Sequence, residues 1–244
     1  MAGKIFLLKN TRLYINQYDM SGLSRTLDSL VKSFEKVDMT AWDYNVSRAM
    51  GNRCEVGIMG YGALLDIDTG KSLDALQENQ DAHVSLLIGA GAAPAVGDLA
   101  YIVPGIQFGG LMSIETGAVG FSGIDFIPEP GQAGAYYISP YGVVLEIATS
   151  RTATQTGSSV NNAAATTAGW SAMLHVISSG ANWEIKIQHS ANDTDWADLT
   201  TFTADGSTAG AEHKSAATTV NQYTRILSTR TSGNLTVVCV LARN

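Results

Sequence analysis

The sequence predicts a mainly β protein: a strand-rich barrel or sandwich with one short helix, followed by a small antiparallel β-sandwich. Three observations predict it. Apolar residues recur with a period of two in many short segments. Clusters of Gly, Pro, Asn and Asp punctuate those segments. Beyond residue 138 Thr, Ser and Ala dominate, around strand-like runs with turn signals between them, the cadence of a small sandwich. At 244 residues, 45% hydrophobic and 15% charged, the chain has the apolar content for two cores and lacks the charge of a disordered one. So low a charge fraction also implies a surface shared with neighbours.

Taken in order, residues 4–8 and 12–17 read as short strands, the second with Leu13, Ile15 and Gln17 on one face and Tyr14, Asn16 and Tyr18 on the other. Residues 23–37 carry two signals. Leu23, Leu27, Leu30, Val31 and Phe34 fall at helical spacing, while the strand register through Leu30, Lys32 and Phe34 is poorer. Residues 54–59 alternate as a half-buried strand. Ser72 stands as the cap of a short amphipathic helix over residues 73–80, with Leu73 and Leu76 on one side and Asp74 in the first turn. So short a helix needs a sheet to lie on. Strands follow at 83–88, 99–103 and 117–126, with a turn over 89–95 between the first two. Residues 127–135, with Pro128, Pro130, Gly131 and Gly134, mark the domain boundary, giving domains 1–138 and 139–244. The second contains strand-like segments at 142–148, 171–177, 183–189, 223–229 and 235–241.

The composition argues against most kinds of chemistry. Residues 1–138 hold 9 Lys and Arg against 15 Asp and Glu, net −6; residues 139–244 hold 6 against 7, net −1. An acidic balance disfavours wrapping nucleic acid, whose phosphates need neutralising. Only four apolar residues, Ile5 to Leu8, run together near the start, too few for a secretory or membrane-spanning segment, so the expected site of synthesis and folding is the cytosol. Cys54 and Cys239 lie far apart in strand-like surroundings and read as buried free thiols rather than a disulfide or zinc site. His83, His175 and His189 sit in strand-like segments and His213 in a turn-like one, none at metal spacing. The glycine-rich stretches at 89–93 and 105–110 lack the strand–turn–helix setting of a phosphate cradle and read as turns and connections. Asn192, Asp193, Thr194 and Asp195 place oxygens at alternate positions but lack the closing Glu of a calcium loop, and a hairpin turn is the better reading. Trp42, Trp170, Trp183 and Trp196 offer faces for sugar stacking, against which stands simple core packing. No catalytic, cofactor-binding or metal residue is nominated, no cofactor is expected, and the expectation is a non-enzyme.

The order of several short motifs resembles the tail-tube (major tail) proteins of siphophages that carry an extra C-terminal domain. The carriers are Asp19 to Gly22, Val37 to Thr40, Gly60 to Asp66 with the helix after it, Val96 to Tyr101 and Gly117 to Ser122. They continue with Ile187 to Ser190, Trp196 to Leu199, Val220 to Arg225 and the final strand ending at Ala242 and Arg243. The resemblance spans nearly the whole chain, each motif being weak alone.

It implies a virion subunit: hexameric rings whose strands join in one lumen-lining barrel, stacked as a conduit for viral DNA that passes without specific binding. The implied partners are further copies, the tape measure, the tail terminator and the distal tail protein. Six copies at −6 each would bring −36 to a ring, some of it repelling phosphate. The resemblance also implies strand rather than helix over residues 26–35 and a long loop over 36–53 reaching towards adjacent rings. It implies an immunoglobulin-like or jelly-roll module outside the tube, for which cell-surface glycans are a partner suggested by the tryptophans. The competing readings are a capsid decoration or head–tail connector subunit, and a carbohydrate-binding surface protein.

Overall fold

The computed structural model describes residues 10–38, 49–77, 81–115, 118–128, 140–178 and 180–243. The strands expected at 4–8, Trp42, the last three residues of the expected helix and most of the 127–135 boundary lie outside them.

The first half is a single curled antiparallel sheet. Its strands are β1 (Thr11–Ile15), β2 (Tyr18–Asp19), β3 (Ser24–Thr26), β4 (Ser29–Asp38), β5 (Ala49–Leu64), β6 (Asp81–Ile88), β7 (Leu99–Glu115) and β8 (Ala118–Pro128). The lateral order runs from β2 and β1 through β6, β7, β8 and β5 to β3 and β4, which lie one after the other along β5. The concave side encloses a core of Leu13, Ile15, Met20, Ile58, Tyr61, Val84, Tyr101, Val103, Ile124 and Phe126. Tyr101 reaches across the curl, its hydroxyl 2.5 Å from the Val31 carbonyl oxygen and 3.1 Å from that of Gly57.

Strand rather than helix holds over 24–26 and 29–38, broken at Leu27 and Asp28, so pairing with β5 overrides the helical spacing of Leu23, Leu27, Leu30 and Val31. The long loop expected over 36–53 is corrected in turn. Lys36 pairs with Gly51, Val37 with Met50 and Asp38 with Ala49, so both ends of that segment are strand, while residues 39–48 lie outside the described residues. The glycine-rich stretch 105–110 is not a turn but lies inside β7. A Cβ at Gly105 would sit 1.9 Å from the Ile127 carbonyl oxygen, so glycine is what lets β8 approach.

The helix α1 (Ser72–Gln77) is present, but Ser72 does not cap it. Its hydroxyl donates to the Leu64 carbonyl (2.6 Å) and accepts from the Asp66 N–H (2.8 Å), fastening the incoming loop instead. The 89–95 turn lies between β6 and β7, as expected. Strand β1 ends at Ile15 because Asn16, at φ 51, begins a two-residue turn into β2 that takes in Gln17.

The second half contains β9 (Tyr141–Arg151), β10 (Gln155–Thr156), β11 (Val160–Asn161), β12 (Trp170–Val176), β13 (Asn182–Ser190), β14 (Ala197–Thr201), β15 (Gly210–Ala216), β16 (Tyr223–Ser232) and β17 (Leu235–Arg243). One sheet runs β15-β12-β17-β9; the other runs β10-β16-β13-β14, with β11 following β10 along β16. The two strand orders, β15-β12-β17-β9 and β10-β16-β13-β14, are those of a jelly roll, which decides between the two modules expected. Trp170, Leu174, Trp183, Ile185, Ile187, Ile226, Val237 and Cys239 fill the space between them.

The halves are not separate beads. Leu99, Ala100 and Tyr101 of β7 pair with Val143, Gly142 and Tyr141 of β9, making one twelve-stranded sheet. That sheet doubles back, and a third core of Tyr14, Leu87, Ala100, Ile102, Val144, Met173, Val238 and Val240 fills the fold. Strands β12 and β17 are therefore buried on both faces, one towards the jelly-roll core and one towards the first half.

Candidate assembly surface

Among the described residues the sheet of the first half does not close. Among the described residues β4 pairs only with β5, leaving the other edge of a ten-residue strand without a partner strand. Of the barrel or sandwich expected for this half, the described residues of the single chain form an open, curled sheet. Where β1 and β3 fail to meet, the seam opens into a cleft of about 100 Å³ lined by Leu13, Leu27, Tyr61 and Leu86, with Thr11, Ser24 and Arg25 at its margin. Two bonds stitch part of the seam: Met20 N–H to the Leu13 carbonyl (2.8 Å) and Leu13 N–H to Ser21 Oγ (3.1 Å). An unpaired strand edge presents a row of donors and acceptors to any strand that approaches.

Apolar side chains gather on the same sheet. Phe108 and Met112 of β7 are 47% and 59% exposed, Val119 of β8 38% and Leu64 of β5 37%. Met112 lies opposite Phe121, and Leu64 opposite Gly120, so these positions sit towards the joined ends of the β7–β8 hairpin and its neighbour β5. Singly such residues are ordinary; several on one region of the sheet suit contact with another subunit.

The remaining candidates disperse. Trp170 and Trp183 are core residues, 4% and 2% exposed, and the Trp170 indole N–H donates to Thr218 Oγ1 (2.9 Å). Trp196 is half-buried at the start of β14, with the Arg225 guanidinium 3.9 Å from its ring centre. Arg225 also donates to Gln188 Oε1, which completes a polar row through Asp198 and Lys186 on the outer face of the sheet.

Asn192, Asp193, Thr194 and Asp195 form the β13–β14 turn. Asn192 Oδ1 accepts from the N–H groups of Thr194 and Asp195, so the oxygen proposed for a cation is engaged by the turn itself. Among the described residues no group of three His, Cys, Asp or Glu is placed to hold a metal ion. Cys239 is a buried free thiol, pushed up to about 12 by burial; the side chain of Cys54 lies outside the described residues. No described helix is long and apolar enough to cross a membrane.

The histidines are not as dispersed as their sequence positions suggest. His189 is half-buried on β13, its Nδ1 accepting from the Asn221 N–H. His213 lies in β15 and not in a turn, and with His83 and His175 it gathers where the halves meet. No sequence spacing announces that gathering, because 92 residues separate His83 from His175 in the chain.

No family model and no curated protein matches the chain. Among solved structures it is similar to the Dit protein of the phage SPP1, described as a paradigm of the hub adsorption apparatus in phages infecting Gram-positive bacteria. The likeness covers 95% of this chain and 97% of that one, at 11% identity and a TM-score of 0.34, too slight to carry an argument about function.

Proposed function

We propose that this chain is a structural, non-enzymatic subunit of a phage tail. In this reading its first half joins copies of itself into rings, six to a ring, that stack into a conduit for the genome. The observation that carries the reading is the edge of β4 that no described strand pairs, together with the open β1–β3 seam. A strand-rich half with a free ten-residue edge and grouped apolar side chains is completed by like partners, and closure around a ring satisfies every edge at once. The motif order that resembles tail-tube proteins supports the same conclusion, as does the net −6 of residues 1–138, which suits a lumen that DNA passes without adhering. The jelly roll then sits outside the ring. Its glycan reading rests on Trp196 alone, since Trp170 and Trp183 are committed to the core; a glycan array probed with the full chain tests it, and silence on every sugar removes it.

Negative-stain imaging and light scattering of the purified protein over a range of concentration and salt test assembly. Rings or tubes are expected. A compact trimer points to a decoration protein instead, and a chain that stays monomeric under all conditions overturns the proposal.

A further inference from the structure

The apolar layer between the halves has a polar island at its rim, built around histidines. His175 on β12 is fully buried, with Nδ1 2.6 Å from the Asn16 carbonyl oxygen and Nε2 2.7 Å from Ser85 Oγ. Both partners belong to the first half, so one jelly-roll side chain is bonded twice across the joint. A carbonyl oxygen only accepts; Nδ1 therefore carries the proton, and Nε2 accepts from the Ser85 hydroxyl. The ring is neutral, and its lone pair is in use. Next to it, His213 of β15 lies with Nε2 2.7 Å from Ser171 Oγ, and its ring stands edge-on to that of His83 on β6 at 6.4 Å.

We propose that this joint is a proton-operated latch: an added proton on His175 Nε2 displaces the Ser85 hydroxyl as donor and releases the jelly roll from β1 and β6, while each half keeps its own fold. The surroundings give that proton no counter-charge. From β1 and the turn after it the ring faces Tyr14, at 6.0 Å, and the Asn16 carbonyl; from β6 it faces His83 and Ser85; on β15 its cross-strand neighbour is Ala211, with Glu212 opposite Leu174 and His213 opposite Met173; on β17 its cross-strand neighbour is Val238. Asp19 acts on Tyr14 and not on His175. Burial and His83 both oppose an imidazolium, and only the Asn16 carbonyl favours it, so His175 is held down at about 4. His213 is held at about 4 as well, by burial and by His83. Each protonation adds a like charge to one small island, so the second follows the loosening caused by the first.

The halves remain tethered when the latch opens, because the β7–β9 pairing of Leu99, Ala100 and Tyr101 with Val143, Gly142 and Tyr141 uses none of the histidines. Opening is therefore a local loss of protection and not a dissociation. It does not depend on whether the chain assembles.

Hydrogen exchange by mass spectrometry on the full chain between pH 7.5 and 3.5, with labelling times scaled for the intrinsic pH dependence of exchange, tests the latch. Peptides covering residues 11–16, 82–88, 170–176 and 210–216 are expected to lose protection together as the pH falls through the range 6 to 4. Peptides from β13 and β16, on the distant sheet, are expected to keep it. In His175→Gln the acid loss at the joint should shrink and move to lower pH, since only His213 remains there with a depressed value. Should that variant fail to fold, Ser85→Ala provides the second arm. Removing the hydroxyl that donates to Nε2 weakens the neutral ring's bonding, so opening should move about half a unit to one unit higher in pH. Protection at the joint that persists to pH 3.5 overturns the proposal. So does loss that coincides with β13 and β16, or an opening pH that Ser85→Ala leaves where it was.

Discussion

Arg151 and Glu146 on β9 form an ion pair taken almost entirely out of water, with side chains 2% and 8% exposed. The guanidinium also donates to Ser228 Oγ of β16 at 2.7 Å, so it ties one jelly-roll sheet to the other, while its Nε is buried without a partner. Burial pulls the Arg151 guanidinium below its ordinary value. Replacing Arg151 by Met leaves Glu146 as an unpaired buried carboxylate opposite Cys239 and strips Ser228 of its donor. Breaking such a pair from one side costs about 3–5 kcal/mol, whereas replacing both members by apolar residues of similar volume is near neutral or stabilising. Arg151→Met is therefore expected to lower the unfolding temperature by roughly 10 °C, taking about 2–4 °C per kcal/mol for a chain of this size. The double variant Arg151→Met/Glu146→Leu should recover most of that loss. Urea unfolding of the two single variants and the double, read as a thermodynamic cycle, measures the coupling. If each single variant costs under about 1 kcal/mol, or the double is as unstable as the singles together, the pair is not a desolvated unit and the reasoning fails.

Four further outcomes follow from the same structure. His175, at about 4 in the folded chain against 6.5 unfolded, is protonated first in the unfolded state. Stability is thus whole above pH 6.5 and falls between 6.5 and 4, by about 2 kcal/mol at pH 5, and a urea midpoint that holds constant from pH 7.5 to 5 contradicts it. Gly105→Ala places a Cβ against the backbone at Ile127 and should cost about 1–3 kcal/mol by parting β7 from β8, measured by thermal unfolding. Phe108→Asp with Met112→Asp, both exposed, should leave the unfolding temperature of the single chain nearly unchanged while abolishing rings in negative stain; rings that survive assign those side chains no part in assembly. In a Cys54→Ser background, Cys239 should react with a thiol reagent only once urea unfolds the chain, since its thiol is buried and pushed up to about 12.

Much of the strand content was legible because half-buried strands alternate. Residues 142–148, 183–189, 223–229 and 235–241 all fall within observed strands, and the short helix begins where Ser72 and Asp74 signal it. Strands β14 and β15 were missed because Ala197 to Thr201 and Gly210 to Ala216 have no buried apolar face to announce them. The open sheet edge proposed for assembly was legible only as an inference from strand richness. Which strand bears it depends on register, and register is set by partners rather than by a strand's own residues.

The sequence by itself determined the β class, the short helix and the position of Cys239 and two tryptophans in apolar strands, because each follows from local periodicity and turn chemistry. Only the tertiary structure decided what covers the second face of β12 and β17. A run such as Trp170 to Val176 is buried throughout because the jelly roll packs on one side and the first half on the other. Part of the low surface charge read from composition is therefore spent inside the chain. Tertiary structure alone also brought His83, His175 and His213 together, since cross-layer contacts join residues whose separation along the chain encodes nothing about their distance in space.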